Sequence, residues 1–285
     1  MGSFLIALTI AMTTNTNDKE RTTSEEPLKN KQFIGWGPNY MGYDTAIRDK
    51  KIKIAILDSG INGKHEDLQK KVVKSFNAID NSKSIQDDFG HGTNIAGIIA
   101  ATDNDIGIVG VSQNVVIYDV KVLDSAGVGE VEHVIEGLQW AANNNVDIVN
   151  MSFGFIKDYP ELKKTIDMLL SQNIIVVASA GNNLGQEVDF PAGYTDVISV
   201  GSIDLNGKVD VLASTGKIDV YAPGKEIITT SSNGSYETVR GTSFSAAYIT
   251  GELAKAISTE EINRQNNNCI EKTIEYLIKR FPKIN

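Results

Sequence analysis

The sequence predicts an α/β fold, a parallel β-sheet flanked by helices on both faces. Two observations carry that expectation. Short β-branched runs alternate along the chain with stretches of helical character, the pattern of successive strand–helix–strand units. The runs are also apolar at nearly every position rather than at every second one, as in strands buried on both faces of a parallel sheet. With 41% apolar residues in a chain of 285, one sizeable core is within reach.

The expected strands are Ile52–Leu57, Val116–Val122, Val146–Met151, Ile174–Ser179 and Val197–Gly201. The expected helices between and after them are His91–Ala101, Glu130–Asn145, Pro160–Gln172 and Thr242–Ile257. A last amphipathic helix over Cys269–Phe281 follows from Ile270, Ile274, Leu277 and Ile278 at helical spacing. Three segments result: a polar arm over residues 1–31, a globular domain over 32–257, and a tail over 258–285 that holds the last helix.

Composition narrows the function classes. The chain carries 27 Lys and Arg against 36 Asp and Glu, a formal net charge of −9. A nucleic-acid partner is therefore not expected, since polyanions are repelled on average. The single cysteine, Cys269, excludes an intramolecular disulfide and any zinc-type Cys/His spacing, and fits a reducing compartment. The apolar run Phe4–Met12 is too short for a transmembrane segment, which needs ~20 residues. It lacks the basic flank and cleavage site of a signal peptide. It reads as an ordinary N-terminal segment, with export or membrane association through residues 4–12 as the alternative.

Ligand sites in such sheets lie beyond the carboxyl ends of the strands, and four residues there stand out. Asp58 follows the first strand in Asp-Ser-Gly-Ile, which is also an ordinary turn sequence. His91 is the one histidine of three flanked by glycine on both sides, in Asp88-Phe89-Gly90-His91-Gly92-Thr93. Asn182 follows a strand in Ser179-Ala180-Gly181-Asn182, where a side-chain amide can reach an oxyanion. Ser243 opens a helix in Gly241-Thr242-Ser243-Phe244-Ser245-Ala246-Ala247. A helix N-terminus favours the negative charge that forms after nucleophilic attack, although Thr242 or Ser243 also suits a plain N-cap. Each residue has an ordinary structural reading. The order Asp…His…Ser, with all four at strand ends or helix starts of one α/β pattern, does not.

The blocks AILDSGI (55–61), GHGTNIAGIIAA (90–101), NMSFG (150–154), VVASAGNN (176–183) and GTSFSAA (241–247) resemble the successive signature blocks of the subtilisin-like serine proteases. The resemblance covers roughly four-fifths of the chain and makes residues 32–257 a peptidase domain. It implies Ser243 as nucleophile, His91 as general base and acid, Asp58 as the group that orients the imidazole, and Asn182 with the Ser243 N–H as the oxyanion hole. It further implies that an extended peptide adds as a strand between Ser152-Phe153-Gly154 and the loop holding Ser125 and Gly127.

The resemblance also implies that Asp189, in Asp189-Phe190-Pro191, lies at the wall of the S1 pocket, where the family often has a small residue. A carboxylate there favours Arg or Lys, then Gln, at P1; a solvated loop aspartate is the alternative. Asp67 and Asn104 match a family calcium site built from hard oxygen ligands, with a polar turn as the alternative. No cofactor is expected for catalysis. Two positions depart from the pattern: Ala247 where proline is usual, and Asn94 where histidine is frequent.

The ~30 residues before the peptidase core are too few for a folded prodomain. That length, the absence of disulfides and the poor signal lead to a cytoplasmic protease. The sequence is similar in look to the lantibiotic leader peptidases of Gram-positive bacteria. The resulting expectation is removal of the leader from a lantibiotic (bacteriocin) precursor, with general intracellular proteolysis as the alternative.

Overall fold

Seven parallel strands form the sheet that the apolar runs foretold. The computed structural model describes residues 31–48, 50–265 and 268–281; the run Phe4–Met12 and nearly all of the expected arm lie outside them. The first half of the chain supplies α1 (Trp36–Met41), β1 (Ile52–Asp58), a 3₁₀ turn (Glu66–Leu68), β2 (Val72–Asn77), α2 (His91–Ala100) and β3 (Val115–Lys121). Then come α3 (Val131–Asn143), β4 (Ile148–Met151), α4 (Pro160–Ser171), β5 (Ile175–Ser179), β6 (Ile198–Ile203) and β7 (Val220–Pro223). An antiparallel pair, β8 (Ile227–Thr230) and β9 (Tyr236–Val239), precedes α5 (Thr242–Ser258) and α6 (Cys269–Arg280).

The sheet order is β2-β3-β1-β4-β5-β6-β7. After β1 the chain moves to one side for β2 and β3, then crosses to the other side for β4 onward. The order therefore reverses beside β1, which opens a crevice at its carboxyl end.

Strand alternation divides the core in two. Ile52, Ile54 and Ile56 point to the face covered by α2, α5 and α6, where they meet Ile95, Ile99, Phe244 and Leu277. Ala55 and Leu57 point to the other face, against Val134 and Leu138 of α3 and Leu162 and Ile166 of α4. Continuous apolar runs are what a sheet covered on both sides requires. Burying one such side chain is worth roughly 1.5–3 kcal/mol, so both faces contribute to holding the sheet.

The five strands expected from the sequence are present within a residue or two at most ends. β2 was not foreseen. It is an edge strand whose middle, Val73-Lys74-Ser75, is exposed, so it lacks the apolar signature. β7, β8 and β9 were missed because their four residues each include Pro, Thr, Tyr or Glu and make no continuous aliphatic run. The terminal helix packs on the core through Cys269, Leu277 and Phe281. No helix among the described residues is long and apolar enough to cross a membrane.

Candidate active site

The carboxyl ends of β1, β4 and β5 and the amino ends of α2 and α5 converge on one place. Asp58, the last residue of β1, is buried and accepts a hydrogen bond from the Ser59 N–H at 2.8 Å. Both of its carboxylate oxygens lie 2.9 Å from Nδ1 of His91, the first residue of α2. That contact fixes the tautomer: Nδ1 carries the proton and donates it. Close approach of α2 to the β1 loop needs Gly92, because a Cβ there would sit 2.1 Å from the Gly60 carbonyl oxygen and 3.1 Å from Asp58 Cβ.

His91 is fully buried, with the Phe89 and Phe244 rings at centroid distances of 6.3 and 5.5 Å. Its Nε2 has no hydrogen-bond partner among the described residues. Burial alone would push the imidazolium down, but the charge and hydrogen bond of Asp58, helped by the charge of Asp87, hold it above its ordinary value.

Ser243 is the second residue of α5 and nearly buried. Its hydroxyl donates to the Ser152 carbonyl at 2.7 Å rather than to His91, while the Ser152 hydroxyl donates to the Ser243 carbonyl at 2.9 Å. A buried polar chain continues behind this latch. The Asn150 amide donates to Ser152 Oγ at 2.8 Å, and the Thr250 hydroxyl donates to Asn150 Oδ1 at 2.8 Å. Asn182 accepts from the Thr242 N–H at 3.1 Å and the Thr242 hydroxyl at 3.3 Å through Oδ1. That leaves its Nδ2 as the available donor beside the α5 N-terminus.

Two residues that sequence reasoning missed organise this region. Asp87 accepts from the Ser59 hydroxyl at 2.7 Å, the Gly90 N–H at 2.7 Å, the Thr93 N–H at 2.9 Å and the Thr93 hydroxyl at 2.5 Å. It therefore ties the Asp58 loop to the first turn of the His91 helix; an acid shortly before a helix start is the signal that could have found it. Asp119, on β3, is also buried, with one carboxylate oxygen unpartnered among the described residues. Burial, reinforced by the charges of Asp87 and Asp58, pushes its carboxyl well above the usual range, against a smaller pull from the Ile61 N–H and Lys121. Lys121 Nζ in turn donates to the Ser59 and Gln86 carbonyls.

The residues expected to flank a substrate surround this centre. Ser152 and Gly154 follow β4, while the Phe153 side chain is buried in the core, so only its backbone faces the site edge. Gly127, in the loop with Ser125, lies against the Phe89 ring beside His91. Asp189 is wedged between two backbones: a Cβ on Gly154 would come within 2.5 Å of its Cβ, and one on Gly181 within 2.5 Å of its Oδ2. It accepts from the Asn183 amide at 2.8 Å, and its backbone N–H donates to the Ala180 carbonyl at 3.1 Å. Burial pushes its carboxyl up, partly offset by the Asn183 bond.

Of the two departures, Asn94 donates to the Thr230 carbonyl at 2.8 Å and Glu237 at 2.9 Å, anchoring α2 to the β8–β9 pair. Ala247 is buried inside an unbroken α5. On the far side of α2, Asp67 Oδ2 accepts from the Ile108 N–H and the Tyr236 hydroxyl, both at 2.9 Å. Asp67 Oδ1 faces the Asn104 amide at 3.3 Å, and the Gln32 amide faces the Thr102 carbonyl at 3.2 Å. Turning either carboxamide over would present its oxygen instead. The Asp67–Asn104 pair and the Gln32–Thr102 pair thus each offer oxygen donors of the kind that a hard cation takes.

A family model described as the subtilase family matches residues 49–280. Over 237 residues the chain is 37% identical to Subtilisin E of Bacillus subtilis (strain 168), a match covering 81% of this chain and 62% of that protein. It is 36% identical to Subtilisin of Bacillus pumilus, over 81% of this chain and 86% of that protein. It is likewise 36% identical to the Major intracellular serine protease of Bacillus subtilis (strain 168), over 82% of this chain and 77% of that protein. The chain thus spans about three-fifths of the length of relatives such as Subtilisin E. The match over most of its length, joined to an Asp–His pair beside a serine at a helix start, shows that the chain belongs to the subtilase family.

Proposed function

We propose that the chain is a serine endopeptidase with Ser243 as nucleophile, His91 as base and acid, and Asp58 as the orienting carboxylate. The observation that carries this is the bond from His91 Nδ1–H to Asp58, which leaves Nε2 unprotonated and, among the described residues, unpartnered next to the α5 N-terminus. The Ser243 hydroxyl turns off the Ser152 carbonyl and gives its proton to Nε2 as Oγ bonds to the peptide carbon. Asn182 Nδ2 and the Ser243 N–H receive the oxyanion. His91 then returns the proton to the departing amine. Water repeats the sequence to release the acyl group and restore Ser243. The side chains perform these steps without a cofactor. Labelling by a fluorophosphonate, lost in Ser243→Ala, tests the assignment; labelling that persists in the variant refutes it.

The substrate we infer is the leader–propeptide junction of a lantibiotic precursor, bound as an extended strand along Ser152–Gly154 and Ser125–Gly127. Asp189 supports narrow selection, because a half-buried carboxylate between Gly154 and Gly181 favours a P1 side chain that donates hydrogen bonds. General proteolysis in the cytoplasm is the second reading, favoured by relatives such as the Major intracellular serine protease. Mass spectrometry of digests separates them: one cut at a leader junction after Arg, Lys or Gln supports processing. Broad cleavage of a denatured protein supports the second reading, and preference for Leu or Phe at P1 refutes the role of Asp189.

We also propose calcium at Asp67 and Asn104, joined by the Gln32 side chain and the Thr102 carbonyl. The ion would supply structural cross-linking between the chain before α1 and the loop after α2. EDTA should lower Tm in the parent but not in Asp67→Asn; an unchanged parent Tm refutes the site.

A further inference from the structure

The amino-terminal edge of the sheet, opposite the catalytic centre, carries a cavity of about 300 Å³ beside Val115 and Val116 at the start of β3. Three lysines line it: Lys51, Lys70 and Lys71. Lys71 is nine-tenths buried and donates to the Gln113 carbonyl at 3.2 Å and to Gln113 Oε1 at 3.3 Å. Among the described residues Lys51 reaches Asn114 Oδ1 alone, at 3.5 Å. Among the described residues neither ammonium has a carboxylate partner, and the acid that lines the cavity, Asp103, is exposed.

A buried ammonium held by neutral acceptors, with a second cation near it, is an unfavourable arrangement in isolation. Burial and the neighbouring Lys51 charge push the Lys71 amine down to about 8. On a chain with a net charge of −9, a concentration of three lysines at one concave spot is also against the general trend. An anion in the cavity removes the cost, since it supplies the opposite charge that Lys51 and Lys71 lack among the described residues.

We propose that the cavity lined by Lys51, Lys70 and Lys71 is an oxyanion-binding site, separate from the catalytic centre and taking a carboxylate or a phosphate- or sulfate-like group. The proposal does not depend on the peptidase reading. Two sources can provide such a group. One is a free oxyanion in solution. The other is the acidic pair Glu25 and Glu26 of the same chain, because the Gln32 amide rests on the carbonyl of Thr102, a residue that lines the cavity.

Thermal unfolding of the full chain with the triad intact tests this, using sodium sulfate against sodium chloride at equal ionic strength. Sulfate should raise Tm along a saturating curve in the low millimolar range, and the rise should vanish in Lys51→Gln/Lys70→Gln, both exposed and safe to change. Glu25→Gln/Glu26→Gln identifies the source. If the arm is the resident group, sulfate has little effect on the parent and a saturating effect on this variant. If the ligand is free, parent and variant respond alike. The proposal is overturned if neither the parent nor the Glu25→Gln/Glu26→Gln variant shows a saturating rise, or if adding Lys51→Gln/Lys70→Gln to whichever of them responds leaves its rise unchanged.

Discussion

Asn182 spends its carboxamide oxygen on Thr242, which leaves its Nδ2 available as the proposed oxyanion donor. Asn182→Ala should lower kcat by about 10²–10³, the known cost of losing an oxyanion donor of this kind, with KM little changed; steady-state kinetics on a peptide amide checks this. The raised value at His91 sets a second expectation. As the proposed base, His91 must be neutral, so kcat/KM should fall as pH drops through a value above the ordinary 6.5 of imidazole. Asp58→Asn should lower that limb and cut kcat by about 10⁴, which a pH–rate profile would show.

Asp119 offers a third test at this scale. A carboxyl whose folded value is raised favours the fold below its unfolded value, and that stability is lost as pH rises through the folded one. Asp119→Asn should therefore add about 1–3 kcal/mol near pH 8 and almost nothing near pH 4; denaturant melts at the two values decide it. Asp58, His91, Asn182 and Ser243 were legible in the sequence because local glycines and strand ends mark them. Asp87, Asn150 and Thr250 were not. Their importance lies in hydrogen bonds across the fold, such as Thr250 to Asn150, which no local pattern encodes.

Among elements, α5 does the most. Its first turn presents Ser243, and its middle carries Glu252, fully buried, with Lys255 at 2.5 Å and the Tyr276 hydroxyl at 2.7 Å. Lys255 also donates to the Gly42 carbonyl at 2.6 Å, and Arg280 to the Met41 carbonyl at 3.1 Å. Glu252→Ala leaves Lys255 without its counter-charge inside the protein and should cost about 3–5 kcal/mol. Tyr276→Phe removes one hydrogen bond and should cost about 0.5–1.5 kcal/mol. Chemical denaturation of both variants tests the ranking. The strands β1, β3, β4, β5 and β6 could be read from their apolar runs and the long helices from their periodicity. The edge strand β2 could not, because an exposed strand carries no apolar run, and α1 is a single turn and a half around Gly37-Pro38.

At the scale of the molecule, the sheet has two working ends. Its carboxyl edge gathers Asp58, Ser152 and Asn182 where the strand order reverses, as open α/β sheets do. Its amino edge holds the lysine cavity. Whole-sequence composition gave the sign of the net charge but hid this local reversal, which depends on the fold bringing Lys51 to Lys70 and Lys71.

The contacts around Glu252 have a mechanical consequence. Met41 and Gly42 near one end of the described chain, and Tyr276 and Arg280 near the other, are both fastened to α5. Tension applied at the carboxyl end is passed to α5 through Tyr276 and Arg280, whereas at the amino end it meets the Phe33–Ile108 bridge first. A tether on the carboxyl end would thus load the helix that carries Ser243.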